Sequence, residues 1–260
     1  MNLTKLASVL LVLSFFVFHT TLRAENSRAK IVRVQGDVYV SNASGDKRKV
    51  DSKEFLVNSN ETVVTSKDSK AVVQFDDGAM SVLDEKSSLR VEKSGWLSQL
   101  GGKVYYVFRK VFGKEKPKKV TTNFATIGIR GTTFIVDVTA DNQQVALQEG
   151  KLNIESPGDD YEFLKPAAVA DDFNAYQQQE RETQQKLRNE FKGYKKNISK
   201  EFIEYKKSFY LEANKVVSFN GKRVDKSDLD KDWKSSFDGF ADFSKDYLDA
   251  YKELDESANK

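Results

Sequence analysis

The sequence predicts an α+β protein, in which a mainly β domain, an antiparallel sandwich or jelly-roll-like body, is followed by an α-helical hairpin. Three observations support this fold class. Short runs rich in Val, Ile, Thr, Tyr and Phe alternate with turn residues through the first half of the chain. The pair Asp77-Gly78 lies between two such runs and is typical of a two-residue hairpin turn. After Pro166 glycine becomes rare, and apolar residues recur at steps of three or four.

Residues 1–24 have the features of a signal peptide. Lys5 precedes an almost unbroken apolar run over residues 6–18, and Ala24 is a small residue suited to a cleavage site. The run is shorter than the roughly 20 residues of a membrane-spanning helix. We therefore expect cleavage after Ala24 and a periplasmic mature protein without a stable membrane span. An uncleaved membrane anchor is the alternative.

Residues 25–157 are expected to form the β domain. Turn residues such as those at Gly36, Gly78 and Gly150 separate short runs of β-forming residues, as in sandwiches and barrels. The predicted strands cover residues 30–34, 38–40, 61–65, 71–75, 80–83, 89–91, 104–108, 119–122, 133–138, 144–148 and 151–154.

Residues 120–138 form the central segment of this domain. Two extended runs meet at Gly128 and Gly131, where glycine indicates a bend or a close backbone approach. Arg130 is the one charged residue at this bend. We favour the interpretation that its guanidinium braces backbone carbonyls, since buried polar groups are normally hydrogen-bonded. A clamp for a ligand carboxylate or phosphate, formed with Thr132, is the alternative.

The spacing Thr-x-x-Ala-x-x-Gly-x-Arg-Gly-Thr-x-Phe-x-Val runs through this segment. It is matched by Thr122, Ala125, Gly128, Arg130, Gly131, Thr132, Phe134 and Val136. This pattern resembles the hallmark segment of the FecR domain, and the resemblance extends over residues 30–155. It implies an extracytoplasmic β module. FecR domains serve as sensors, regulators and cell-envelope modules, so the resemblance implies a fold without fixing an activity.

A basic loop over residues 109–119 precedes the central segment. It is interpreted either as a site for anionic groups of the envelope or as a solvated hairpin tip, where lysines discourage edge-to-edge strand pairing. The lysines that form the candidate anion site are Lys110, Lys114, Lys116, Lys118 and Lys119.

Residues 158–170 are predicted to be a linker, and residues 171–260 a coiled-coil-like helical hairpin. Its first helix is expected to end near Val216, and its second to cover about residues 228–254, capped by Ser227 or Asp228. Both helices have an aromatic stripe, which either packs within the protein or receives a partner or a second copy. The candidate partner-binding residues are Phe191, Tyr194, Phe202, Tyr205, Phe209, Trp233 and Phe237.

The composition excludes several kinds of chemistry. The single histidine is His19, inside the predicted signal peptide, and there is no cysteine. Catalytic triads and the usual zinc sites are therefore excluded from the mature protein. The Asp-x-Asp-x-Asp run at residues 228–232 lacks the Gly and Glu of a calcium loop. We expect no cofactor and no metal. The 42 basic and 39 acidic residues nearly balance, which argues against a nucleic-acid partner.

Together these features predict an exported, non-enzymatic protein of a Gram-negative-type envelope. It would bind or scaffold an envelope protein or a cell-wall polymer, with homo-oligomerisation through the helices left open. A periplasmic signalling accessory in a FecR-like pathway is the first alternative. A carbohydrate-active enzyme using paired carboxylates is the second.

Overall fold

A computed structural model describes residues 27–52, 54–108, 118–139, 142–164 and 203–250. The predicted signal peptide, most of the basic loop and most of the first predicted helix lie outside these residues.

The described residues form nineteen strands and two short helices. The strands of the first half are β1 (Ser27–Gln35), β2 (Val38–Ser41), β3 (Lys47–Lys49), β4 (Phe55–Asn58), β5 (Thr62–Thr65), β6 (Lys70–Phe75), β7 (Met80–Leu83), β8 (Ser88–Val91), β9 (Leu97–Phe108) and β10 (Lys118–Thr121). The remaining elements are β11 (Thr126–Ile129), β12 (Thr132–Val138), β13 (Gln143–Glu149), β14 (Lys151–Glu155), β15 (Tyr161–Leu164), β16 (Ile203–Lys206), β17 (Ser208–Glu212), β18 (Lys215–Asn220), β19 (Arg223–Asp228), helix α1 (Lys231–Phe243) and helix α2 (residues 245–250).

The strands form two layers. Sheet A has the order β4-β1-β6-β7-β9-β12-β13-β18-β19-β15-β16. Sheet B has the order β3-β2-β5-β8-β9-β10-β11-β14-β17. Only the pairs β9–β10 and β15–β19 are parallel among these strands. The sequence prediction of a mainly β, sandwich-like domain within an α+β chain is confirmed.

The long strand β9 belongs to both sheets. Its first half pairs with β8 and β10 in sheet B, and its second half pairs with β7 and β12 in sheet A. The bend lies at Gly102, whose φ is 81° and where a Cβ would lie 2.4 Å from the Cα of Ser87. Any other residue would therefore force the two strands apart. Elsewhere the chain crosses between the sheets at corners that often contain a residue with positive φ: Gly36, Asn60, Asp68, Lys86, Gly131, Gly150 and Asn214.

The core lies between the sheets, and its centre contains one polar network. Phe134 and Tyr106 stack there at 5.0 Å between ring centroids. The Tyr106 hydroxyl donates to Oε1 of Gln99, and Nε2 of Gln99 donates to the backbone oxygens of Gly102 and Val136. The amide thus donates to two buried backbone carbonyls next to the bend of β9. Burial raises the pKa of Tyr106, so its hydroxyl stays protonated.

Helix α1 covers the outer face of sheet A. Its apolar side, which includes Phe237 and Phe240, packs on a second cluster that includes Val72, Tyr105 and Ile135. The central strands of sheet A are therefore buried on both faces. None of the helices within the described ranges is long and apolar enough to span a membrane.

Two boundary predictions are wrong. The first predicted helix was expected to continue to Val216, but residues 203–228 form strands β16 to β19. These strands pair with β13, β14 and β15, so the β body extends well past residue 157, and β15 occupies part of the predicted linker. The four-residue step from Tyr205 to Phe209 fits a helix by coincidence. The local pattern has period two, because Phe209 and Leu211 are buried while Tyr210 is exposed.

The last predicted helix is present with different ends. Helix α1 begins at Lys231, and its N-cap is Asp230, which accepts a hydrogen bond from the backbone N–H of Trp233 at 2.9 Å. The predicted cap Asp228 lies in β19 and pairs with Lys215. The Asp-x-Asp-x-Asp run is therefore divided between a strand end and a helix cap.

Candidate functional site

The outer face of sheet B is not covered by any described helix. Alternate residues of its strands point into the core, and the others point away from it. Whereas α1 covers the matching face of sheet A, no described helix packs on this one. We call the outward side chains of β10, β11, β14 and β17, together with Trp96, the open face.

A single cross-strand row forms the centre of the open face. The register pairs Lys119 with Gly128, Gly128 with Asn153, and Asn153 with Tyr210. Trp96 extends this row, because the parallel pairing of Val120 with Leu97 places it beside Lys119. The row therefore reads Trp96, Lys119, Gly128, Asn153 and Tyr210 across five neighbouring strand positions.

Aromatic rings occupy both ends of this row. Tyr210 is 59% exposed and Trp96 is 38% exposed. The ammonium of Lys119 lies 4.8 Å from the centroid of the Trp96 ring, and that of Lys151 lies 4.5 Å from the centroid of the Tyr210 ring. Cations within about 6 Å of an aromatic face are attracted by its quadrupole. Each end of the row thus presents a flat apolar ring and a positive charge together.

Gly128 lowers the floor of the row at its middle. A Cβ at Gly128 would be in ordinary contact with Asn153, at 3.6 Å, so the position tolerates a small side chain sterically. Its lack of one leaves a shallow dip between Lys119 and Asn153. No described residue makes a side-chain hydrogen bond with the Asn153 amide, which leaves its donors and acceptor available to solvent.

Charged and hydroxyl side chains flank the row. On one side, Lys151 pairs with Glu212 at 2.9 Å, and both side chains are more than half exposed. Arg130 follows directly after β11 on the same side and is exposed. On the other side, the hydroxyls of Ser98 and Thr121 share a hydrogen bond of 2.9 Å. Exposed ion pairs contribute little to stability, so the charges of this face are free to exchange partners.

The residues predicted at the hinge differ in exposure and in what holds them in place. Arg130 is exposed and makes no hydrogen bond or ion pair with a described residue, so the predicted internal brace is wrong. The buried side chain that does brace carbonyls is Gln99. The hinge itself is held by close packing: Gly131 has a φ of 61°, and a Cβ at Gly150 would lie 2.5 Å from its carbonyl oxygen. Thr132 is buried beneath the corner, where its hydroxyl has no hydrogen-bond partner among the described residues.

At the described end of the basic loop, the two lysines lie in different places. Lys119 joins the open face, whereas Lys118 pairs with Asp77 at the edge of the sandwich and lies over Phe108. Burial lowers the pKa of Lys118 to about 8. Lys110, Lys114 and Lys116 lie outside the described residues.

The aromatic residues predicted to bind partners have different surroundings. Phe237 is buried against sheet A, Trp233 is half-buried there, and Phe209 is part of the core between the sheets. Packing within the protein accounts for these three. Tyr205 is 55% exposed on the edge strand β16. Phe191, Tyr194 and Phe202 lie outside the described residues.

The sequence analysis missed Trp96, Lys151, Asn153 and Tyr210. An exposed aromatic residue at the outward position of an amphipathic strand was the available signal. It went unnoticed because the strand β17 was interpreted as helix and because Trp96 precedes β9 in a turn.

The described residues contain no group of three or more acidic, histidine or cysteine side chains that could hold a metal. The most buried acid among them is Asp137, under helix α1, where it pairs with Lys103 at 3.4 Å. Burial raises the pKa of Asp137, with a smaller opposing effect of Lys103. This acid lies on the outer side of sheet A, on the opposite layer from the open face.

A family model described as FecR protein matches residues 61–153. Two crystal structures, at 1.65 and 2.50 Å resolution, of a candidate anti-sigma factor from Parabacteroides distasonis resemble the chain at 14% identity, with TM-scores of 0.44 and 0.43. The alignment covers 68% of this chain, which spans 63% of the length of that one. No curated protein matches the chain. The matched family residues include four members of the central row, and Tyr210 lies beyond them.

Proposed function

We propose, from the match of the FecR family model to residues 61–153, that the protein is an exported, non-enzymatic accessory of envelope signalling that binds an envelope component on its open face. The bound state would then be passed to a separate regulator by protein contact. Sensors and regulators are among the roles of FecR domains, which supports this role at the level of the family.

One observation carries the proposal: the two outer faces of the sandwich differ. The chain uses its own helix α1 to cover the outer face of sheet A. The described residues leave the outer face of sheet B open, with two exposed aromatic rings and three cations along the row or beside it, Lys119, Lys151 and Arg130. Exposed aromatic and arginine side chains are enriched where proteins bind partners.

The absence of histidine and cysteine after residue 24 supports a non-enzymatic role, because the common nucleophile and base pairs need them. The open face also lacks a buried acid, since the acid with a raised pKa, Asp137, lies beneath α1. Export rests on the signal-peptide features of residues 1–24 and supports a periplasmic location.

A scaffolding component of the envelope is the second candidate. It is favoured by the flatness of the open face, which suits a large partner as well as a signal. The two candidates differ in one consequence. A signalling accessory changes gene expression when its open face is disabled, and a scaffold does not.

The test uses the absence of native cysteine, since an introduced cysteine is the only thiol in the chain and can be addressed by a thiol-specific crosslinker. Asn153→Cys places the handle on the open face, and the exposed Ser235→Cys places it on α1 as a matched control. In-cell crosslinking followed by mass spectrometry should yield an envelope adduct from Asn153→Cys alone. Equal adducts from both sites, or none from the open face, would contradict the proposal.

The signalling step is tested separately. Transcripts from a Trp96→Ala/Tyr210→Ala strain should resemble those of a deletion strain if the protein signals. The scaffold would be favoured if the Trp96→Ala/Tyr210→Ala strain has the transcript profile of the wild type while Asn153→Cys still crosslinks to an envelope component.

A further inference from the structure

We infer that the open face binds an acidic polysaccharide, a chain of sugar rings that carry carboxylate or phosphate groups. This rests on the proposed function and names the ligand class for the same surface.

The two ends of the central row carry the same pair of chemical groups. Each has one exposed aromatic ring with a lysine ammonium over it, at 4.8 Å for Trp96 and Lys119 and at 4.5 Å for Tyr210 and Lys151. A sugar acid offers the complementary pair of groups. Its C–H face is weakly positive and packs on the negative face of an aromatic ring, while its acid accepts hydrogen bonds from the ammonium. Each end therefore fits one acidic sugar.

The middle of the row fits the rings between these ends. Gly128 leaves a dip without a side chain, and the Asn153 amide next to it can both donate to and accept from a sugar hydroxyl. The two aromatic ends are four strand spacings apart, about 19 Å. Such a length requires a linear polymer of several rings lying across the strands, because a single sugar cannot reach both ends.

The charges agree with an acidic ligand. Three cations, Lys119, Arg130 and Lys151, lie along the row or beside it, against two acids, Glu212, which pairs with Lys151, and Glu155, an outward residue of β14. The Lys151–Glu212 pair is exposed, and exposed ion pairs contribute little to stability. A ligand acid can thus replace Glu212 at Lys151 with little loss.

Single-stranded nucleic acid is the competing macromolecule, because bases also stack on aromatic rings. Nucleic-acid sites stack successive bases on neighbouring rings along a strongly basic groove. Here the two rings are far apart, and the charges of the whole chain nearly balance.

The test is titration calorimetry of the mature protein with defined polymers. Polygalacturonate supplies carboxylates, its fully methyl-esterified form supplies the same backbone without charge, and phosphomannan supplies phosphates. We expect binding to at least one acidic polymer, weakening as salt rises, and at least tenfold weaker binding to the methyl ester. Equal affinity for the charged and esterified polymers, tighter binding to oligodeoxythymidine, or no binding to either acidic polymer would overturn the inference.

Variants locate the ligand on the face. Tyr210→Ala and Lys119→Gln should each lower the affinity at least tenfold. Tyr205→Ala, a tyrosine of similar exposure on the edge of sheet A, and Lys234→Gln, an exposed lysine of α1, should change it less than twofold. Circular dichroism confirms that each variant is folded. Equal losses in the test and control variants would place the ligand elsewhere.

The proposed binding face and the proposed ligand class can be refuted independently of each other. If Asn153→Cys still crosslinks to an envelope component but no acidic polymer binds, the ligand class is wrong and the binding face stands. If neither occurs, both are wrong.

Discussion

The rings of Tyr105 and Phe240 lie parallel, with 5.6 Å between their centroids and 1° between their planes. Tyr105 comes from the middle of sheet A, and Phe240 from helix α1. Phe237 meets the same tyrosine edge-on at 6.1 Å. This contact fixes the helix to the outer face of sheet A, whereas no described helix packs on the outer face of sheet B.

Phe240→Ala should destabilise the protein by about 3–5 kcal/mol, because it removes a buried ring and leaves a cavity over Tyr105. Urea unfolding followed by circular dichroism measures the change. Ser235→Ala, on the exposed side of the same helix, serves as the control and should change the free energy of unfolding by less than about 0.5 kcal/mol. A loss below about 1 kcal/mol for Phe240→Ala would mean that α1 contributes little to the fold.

Gln99→Met should destabilise the protein by about 2–5 kcal/mol, because methionine has a similar shape but leaves two buried carbonyls and the Tyr106 hydroxyl without partners. Tyr106→Phe removes only the hydroxyl. Since the two residues share one network, the double variant should lose less than the sum of the single losses. Additive losses in chemical denaturation would show that Gln99 and Tyr106 act independently.

Gly150→Ala should destabilise the protein by more than Gly45→Ala does. Both glycines have a φ near 90°, at 92° and 89°, so alanine is strained at each. Only at Gly150 would the new Cβ meet backbone, 2.5 Å from the oxygen of Gly131, while nothing lies within 4 Å at Gly45. We expect about 1 kcal/mol for Gly45→Ala and clearly more for Gly150→Ala. Equal shifts in melting temperature would refute the steric role of this corner.

Asp137→Asn should gain stability relative to the wild type as the pH rises from 3 to 7. Burial raises the pKa of Asp137 above 3.8, so the folded protein favours its protonated form. That favourable contribution is complete below pH 3.8 and is lost as the pH rises through the raised pKa. Asparagine does not ionise and removes this loss. Urea unfolding of both proteins at several pH values gives the difference, and a relative loss for the variant on raising the pH would contradict the assigned shift.

The sequence predicted the β body well where the signals were local. The predicted hairpin between β6 and β7 is present, although its loop has three residues, Asp76 to Gly78, and only Gly78 has a positive φ. The alternation after Thr133 places Phe134 and Val136 in the core between the sheets and Ile135 against α1. These features depend on period-two patterning and on turn residues, which short windows contain.

Pairing between strands that are far apart in the sequence cannot be predicted from such short windows. Strand β17 is too short for its period-two pattern alone to identify it as a strand. Its pairing with β14 does so, and the residues of β14 are far away in the chain. The spacing of aromatic residues upstream of Phe209 also fits a helix, and pairing with β14 determines that the segment forms a strand. The candidate site was missed for the same reason: Trp96 and Tyr210 belong to one row only after β9, β10, β11, β14 and β17 are aligned.

The most direct test of the open face is hydroxyl-radical footprinting of the mature protein with isolated cell envelopes. The chain has two tryptophans, Trp96 on the open face and Trp233 on α1, so one experiment reports both sides of the sandwich. We expect oxidation of Trp96 and Tyr210 to fall at least threefold on addition of envelopes, with Trp233 unchanged. Protection of Trp233 with Trp96 still reactive would show that the helix-covered side meets the partner, and that the open face is not the functional one.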